Sequence, residues 1–143
     1  MSVTLAQASA IVDTALRKGR ELNLAPLTVA VLDAGGHMVA FKREDRSGIL
    51  RHDIAYGKAW GALGMGFGSR ELSERAAKNP LFFGVLATVS QGRLVPVPGG
   101  VLIKDTDGTV QGAVGISGYT SDKDEVCAIA GIEAAGLKAV VGA

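Results

Sequence analysis

An α+β domain, a small antiparallel sheet of about five strands flanked by helices, is the fold class this sequence predicts. Three observations predict it. Apolar residues recur at helical spacing at both ends and in the middle of the chain. Two pairs of short apolar runs are each joined by turns rich in aspartate and glycine. No strand–helix–strand repeat of the kind that builds a parallel sheet occurs. At 143 residues the chain fits one domain, 1–143, able to bury about two-thirds of its unfolded surface. Apolar residues make up 48%, aromatics only 5%, and there are 20 glycines, so the core must be aliphatic and alanine-rich, with close contacts between elements.

Thr4 followed by Gln7 reads as a capping box, and Leu5, Ala8, Val12, Ala15 and Leu16 then mark one helical face to about Leu22. Asn23 and Pro26 mark the exit. Leu27–Leu32 and Met38–Phe41 form a hairpin across Asp33-Ala34-Gly35-Gly36. Lys42–Leu50 is charged and reads as an exposed loop. His52–Met65 is the second helix. Its Gly57, Gly61 and Gly64, with Ala55, Ala59 and Ala62, make a smooth face suited to packing on a sheet or a partner helix, since each helical glycine costs about 1 kcal/mol and needs a reason. Ser69 is placed to cap a short helix through Lys78, and Asn79-Pro80 punctuates before Leu81–Thr88. Leu94-Val95-Pro96-Val97 reads as a short edge strand. Val101–Lys104 and Thr109–Ser117 form the second hairpin across Asp105-Thr106-Asp107-Gly108. Ser121 and Asp122 offer an N-cap for a last helix to about Lys138.

The formal charge of +1 is spread evenly, and no basic block long enough to track phosphates appears. With few aromatics to stack on bases, nucleic acid is a poor partner. Cys127 is the only cysteine, so an internal disulfide and a cysteine-rich metal site are both excluded, and no metal site is expected. No run approaches the ~20 apolar residues of a membrane span, and the start lacks a signal-peptide pattern. A cytoplasmic protein without membrane partners is the expectation. A nearly neutral, rather apolar chain also suits a homo-oligomer. Phosphate-binding loops are absent, and Gly64-Met65-Gly66-Phe67-Gly68 lacks the dinucleotide spacing.

Asp33-Ala34-Gly35-Gly36-His37, Asp53-Ile54-Ala55 with Lys58-Ala59, Pro98-Gly99-Gly100-Val101, Gly112-x-x-Gly115-x-Ser117-Gly118 and Asp124-Glu125 together resemble the GlcG/HbpS family. This family of haem-binding or haem-degrading proteins includes the C-terminal domain of PduO-type proteins. The motifs span nearly the whole chain in family order. The resemblance implies a profilin- or roadblock-like sheet flanked by helices, assembly into dimers or larger oligomers, and haem as a ligand. The chain departs from the commoner pattern at Arg46–His52, which is more basic, and at Gly92-Arg93 and Cys127. These departures favour a small anionic ligand.

The candidate residues follow from their chemistry. Pro98-Gly99-Gly100 could present adjacent backbone N–H groups to a carboxylate, or simply be a turn needing positive φ. Ser117 and Gly118 end a strand beside it; Ser117 is not a nucleophile elbow, so ligand or backbone hydrogen bonding is its expected work. Asp124 and Glu125 lie in the first turn of the last helix, where the helix dipole favours carboxylates, and either could move protons if desolvated. Lys58 sits among small residues, as a solvated lysine or an acid–base group. Arg51 and Arg93 carry forks suited to a carboxylate. His37 and His52, the two histidines, are the axial candidates for haem iron. Cys127 reads as a buried small hydrophobe.

Two functions remain open at this level. The first is a small-molecule-binding module, with haem or another tetrapyrrole as the ligand implied by resemblance. The alternative is a cofactor-independent enzyme of deaminase, hydrolase or isomerase type, acting on a small unsaturated carboxylate from aromatic-compound degradation. Both require Lys58, Gly100, Ser117 and Asp124 to converge on one shared cavity.

Overall fold

The computed structural model describes residues 2–143. Its elements are α1 (Leu5–Glu21), β1 (Thr28–Asp33), β2 (Met38–Arg43), α2 (Arg51–Met65), α3 (Ser69–Lys78), α4 (Pro80–Val89), β3 (Gly100–Lys104), β4 (Val110–Ser117), α5 (Ser121–Ala134) and β5 (Lys138–Val140). The five strands form one sheet in the order β2-β1-β4-β3-β5, antiparallel at every step. The α+β class and the helix-flanked antiparallel sheet are therefore as expected.

Strand alternation assigns the two faces. Val29, Val31, Val101, Ile103, Val114 and Ile116 join Ile11, Val12, Cys127 and Ile132 in the larger core, under α1 and α5. The intervening Leu32, Leu102 and Ala113 meet Ala59 and Ala62 of α2 on the other face. The close approach of α2 depends on glycines of the sheet. A Cβ at Gly115 would run into the Ala55 carbonyl oxygen, and one at Gly100 into the Lys58 carbonyl oxygen. The glycines of α2 itself serve another neighbour, because Gly57 and Gly61 accommodate Val95 and Leu94. The expected single smooth face is therefore split: Ala59 and Ala62 meet the sheet, Gly57 and Gly61 meet the irregular 94–95 segment, and Gly64 is exposed.

Both ends of α1 follow the sequence signals. The capping box at Thr4 and Gln7 is formed. Asn23, at φ 55°, ends α1 in a Schellman turn, with Leu24 N–H donating to Gly19 O (3.0 Å) and Asn23 N–H to Arg20 O (3.2 Å).

Four expectations need correction. Leu94–Val97 is no strand. Pro96 and Pro98 cannot donate to a ladder, and the segment crosses α2 with Val95 N–H donating to Gly57 O (3.2 Å). The fifth strand is β5, because α5 stops at Ala134 and not near Lys138. Gly136, at φ 77°, closes that helix with Leu137 N–H on Ile132 O (3.2 Å), freeing Lys138–Val140 to pair with β3. Ser69 does not cap α3; Gly68 holds that position. The N-cap of α5 is Thr120, without a side-chain cap bond, in place of Ser121 or Asp122. No helix among the described residues is long and apolar enough to cross a membrane.

Candidate functional site

A polar cluster forms where β1 begins and β4 ends, beneath α2. Arg51, Ala55 and Lys58 lie on the side of that helix facing the sheet, spaced by four and three residues. Lys58 Nζ donates to the Ile116 carbonyl (2.8 Å) and to Asp124 Oδ2 (3.3 Å). Asp124 reaches it from the first turn of α5, and its Oδ1 accepts the Tyr119 N–H (3.1 Å). Arg51 Nη1 donates to Ser117 Oγ (3.1 Å). Gly99, at φ 119°, lies against the lysine, since a Cβ there would come within 2.8 Å of Lys58 Nζ. A side chain at 99 would thus displace the amine from Ile116.

Lys58, Gly100, Ser117 and Asp124 therefore converge, as expected. They do not line an open cavity. Lys58 is 2% exposed, Asp124 1% and Ser117 0%, and only Arg51, half-buried, leads outward. Burial pushes the Lys58 amine below its ordinary pKa against the pull of Asp124, and pushes the Asp124 carboxyl above its own against Lys58. Each is a desolvated acid–base group held by its partner.

The adjacent free N–H groups expected at Pro98-Gly99-Gly100 are not formed, because Gly100 N–H donates to Ser69 Oγ (2.7 Å). This bond also explains why Ser69 caps nothing: its buried hydroxyl ties α3 to β3. Gly118 serves a close backbone approach, since a Cβ there would strike the Pro26 carbonyl oxygen.

The remaining candidates lie apart from the cluster or are already paired. Glu125 is clamped by Arg70 Nε at 3.0 and 3.1 Å, while Arg70 Nη2 holds Asp122 (2.6 Å). These bonds hold the start of α5 against α3. Arg93 stacks over Trp60 at 4.1 Å and donates to Ser90 O (2.9 Å), so it does not join Arg51. His37 stands on the first hairpin with Nδ1 3.2 Å from Asp33 Oδ1 and its side chain 81% exposed. His52 opens α2 with its ring 5.0 Å from that of Phe41 and Nδ1 3.3 Å from Asp53. Cys127 is buried, and desolvation followed by the nearby Asp124 charge pushes its thiol up to about 11; it is an inert core residue. Among the described residues no group of three or more His, Cys, Asp or Glu is placed to hold a metal ion.

The sequence pointed to Ser69 only as a helix cap and not at all to Arg70. Ser69 and Gly100 stand 31 positions apart and Arg70 and Glu125 55 apart, so no local pattern couples them.

This architecture has known counterparts. The family described as haem-degrading protein, HbpS-like, matches residues 3–133. The chain belongs to the HbpS-like family. A 15.0 kDa protein from the dhaT-dhaS intergenic region of Citrobacter freundii is 31% identical over 127 residues, covering 89% of this chain and 87% of the relative. The corrinoid adenosyltransferase PduO of the same organism is 26% identical over 124 residues, which cover 87% of this chain but only 36% of PduO. Among solved structures, a PduOC–haem complex superposes with a TM-score of 0.87 at 25% identity, covering 96% of this chain and 98% of the other. The Klebsiella pneumoniae protein ORFY gives 0.84 at 28% identity over 94% and 90%.

Proposed function

We propose that this chain is a small-molecule-binding protein whose ligand is a haem-type tetrapyrrole, held on the apolar apron around His52. One observation carries the reading. Ile49 is 91% exposed and Leu50 64%, separated only by Arg51 from His52, a half-exposed histidine that leans on Phe41. Large apolar side chains this open, beside a metal-ligating group, suit a flat apolar ligand. With Nδ1 turned to Asp53, Nε2 of His52 is the atom left to coordinate iron. Arg51 stands next to it for an acidic substituent. When bound, the group would supply a redox-active iron centre, and His52 is the residue that would hold it. His37 fits less well, because the cavity beside its hairpin, lined by Gly35, Gly36 and Trp60, holds only about 150 Å³. Likeness to the PduOC–haem complex supports the reading. Haem titration followed at the Soret band tests it. His52→Ala abolishes the shifted band and His37→Ala retains it; an unchanged spectrum in both variants removes histidine ligation.

We infer also that the chain forms a homo-oligomer through α4. Leu81, Val85 and Val89 recur every fourth residue and are 82%, 53% and 69% exposed. The helix carries no charged residue, so two copies can meet without opposing like charges.

A second reading rests on the buried pair. Lys58 and Asp124, each pushed towards its neutral form by burial, have the character of proton-transfer groups, and Arg51 would position a small unsaturated carboxylate. Access requires movement of the segments covering them. Muconate-type compounds are the assay, and full turnover by Lys58→Met and Asp124→Asn would end this reading.

A further inference from the structure

The loop after β2 is folded around Glu44. Oε1 of Glu44 accepts the Leu27 N–H (2.7 Å) and Oε2 meets Arg20 Nε (3.1 Å). Its own N–H donates to Leu27 O (2.9 Å), and its carbonyl accepts the Ser47 N–H (3.1 Å). The buried Ser47 hydroxyl shares a 2.7 Å hydrogen bond with Thr28. These bonds close a four-residue turn, Glu44–Ser47, and anchor it to the start of β1.

Arg46 occupies the third position of that turn at φ 70°. Left-handed backbone there is normally left to glycine or asparagine, and a long side chain pays for it in strain. The guanidinium of Arg46 has no hydrogen-bond or ion-pair partner among the described residues. It faces a cavity of about 450 Å³ whose other walls are Arg20, Pro26, Arg43, Glu44 and Asp45. Arg20 spends Nη2 on the Leu24 and Ala25 carbonyls (2.8 and 3.1 Å), which leaves Nη1 uncommitted. Arg43 spends only Nη1, on Ser47 O (2.6 Å). Both Glu44 carboxylate oxygens are engaged, so Asp45 is the one wall residue with an uncommitted negative charge. Three guanidinium groups against two carboxylates leave the cavity with a net positive charge, and a guanidinium fork suits a carboxylate or phosphate.

We propose that this cavity binds a small ligand through an anionic carboxylate or phosphate group, with Arg46 as the chief contact and Arg43 and Arg20 completing the cradle. Its walls share no residue with the Lys58 cluster or the His52 apron, so the site stands independently of both. Asp45 opposes the anion and sets an upper limit on affinity. Strain at Arg46 is retained because glycine, which would relieve it, carries no guanidinium.

The test is titration of inorganic phosphate and, separately, succinate, with ionic strength held constant by chloride. Amide chemical shifts of residues 43–47 and thermal unfolding are the readouts. At least one of the two anions saturates the shifts and raises the melting temperature, and the tighter one identifies the source of the group. Arg46→Gly weakens binding at least roughly tenfold, the loss of one charge-assisted contact, yet melts higher than the parent without anion because the strain is gone. Asp45→Asn binds several-fold tighter, and Arg51→Ala binds as the parent does. The proposal is overturned if neither anion saturates, if chloride alone reproduces the shifts, if Arg46→Gly binds unchanged, or if Arg51→Ala abolishes binding.

Discussion

Replacing Lys58 by methionine tests the electrostatics of the buried cluster directly. The side chains are similar in length, so packing against Gly99 is largely preserved while the ammonium is lost. Asp124, 1% exposed, would keep one hydrogen bond, from Tyr119 N–H, and only the weaker pull of the Arg51 charge. Removing one member of a buried ion pair typically costs about 3–5 kcal/mol, because the remaining charge stays desolvated. For a chain of this size that is a fall in Tm of roughly 10–20 °C. The cost also depends on pH. Without Lys58 the folded-state pKa of Asp124, already raised by burial, rises further. Between the unfolded value near 3.8 and that raised value the folded protein binds more protons than the unfolded chain. Stability therefore increases as pH falls through the window, and the deficit is largest at neutral and alkaline pH. The double variant Lys58→Met, Asp124→Leu removes both charges and recovers most of the loss. Urea unfolding of the three proteins at pH 5, 7 and 9 is the assay. A single variant within about 1 kcal/mol of the parent at every pH would refute the reasoning, since the pair would then have to be reached by water.

Three further outcomes follow from other contacts. Ser69→Ala leaves the Gly100 N–H without its acceptor and costs about 1–3 kcal/mol in chemical unfolding; a smaller loss would mean that another acceptor takes the bond. Cys127 resists iodoacetamide at pH 8 in the folded protein and reacts on unfolding, because its thiol is buried and lifted to about 11; rapid labelling of the native protein would contradict its placement. Val85→Asp puts a charge in the middle of the exposed α4 stripe and shifts the assembly to a smaller species in light scattering, with Tm little changed; an unaltered mass would locate the contact elsewhere.

Local signals in the chain determined a good deal of this molecule. The capping box at Thr4, the turn at Asn23 and both hairpins depend on neighbouring residues, whose φ preferences and side-chain hydrogen bonds act before any tertiary contact. Gly136 carries the same kind of local stop signal, although the expected helix ran past it to about Lys138; Lys138–Val140 has no strand signature of its own and becomes β5 only because β3 offers an unpaired edge. The candidate site divides the same way. Lys58, Ser117 and Asp124 were legible by residue type, but their burial, which changes their chemistry, arises from α2 settling on Gly100 and Gly115. The partners Ser69 and Arg70, and the arginine-lined cavity behind Arg46, came from separate segments brought together by the sheet. Interactions within a few residues can be read along a chain; desolvation and long-range pairing exist only once distant segments have excluded water from between them.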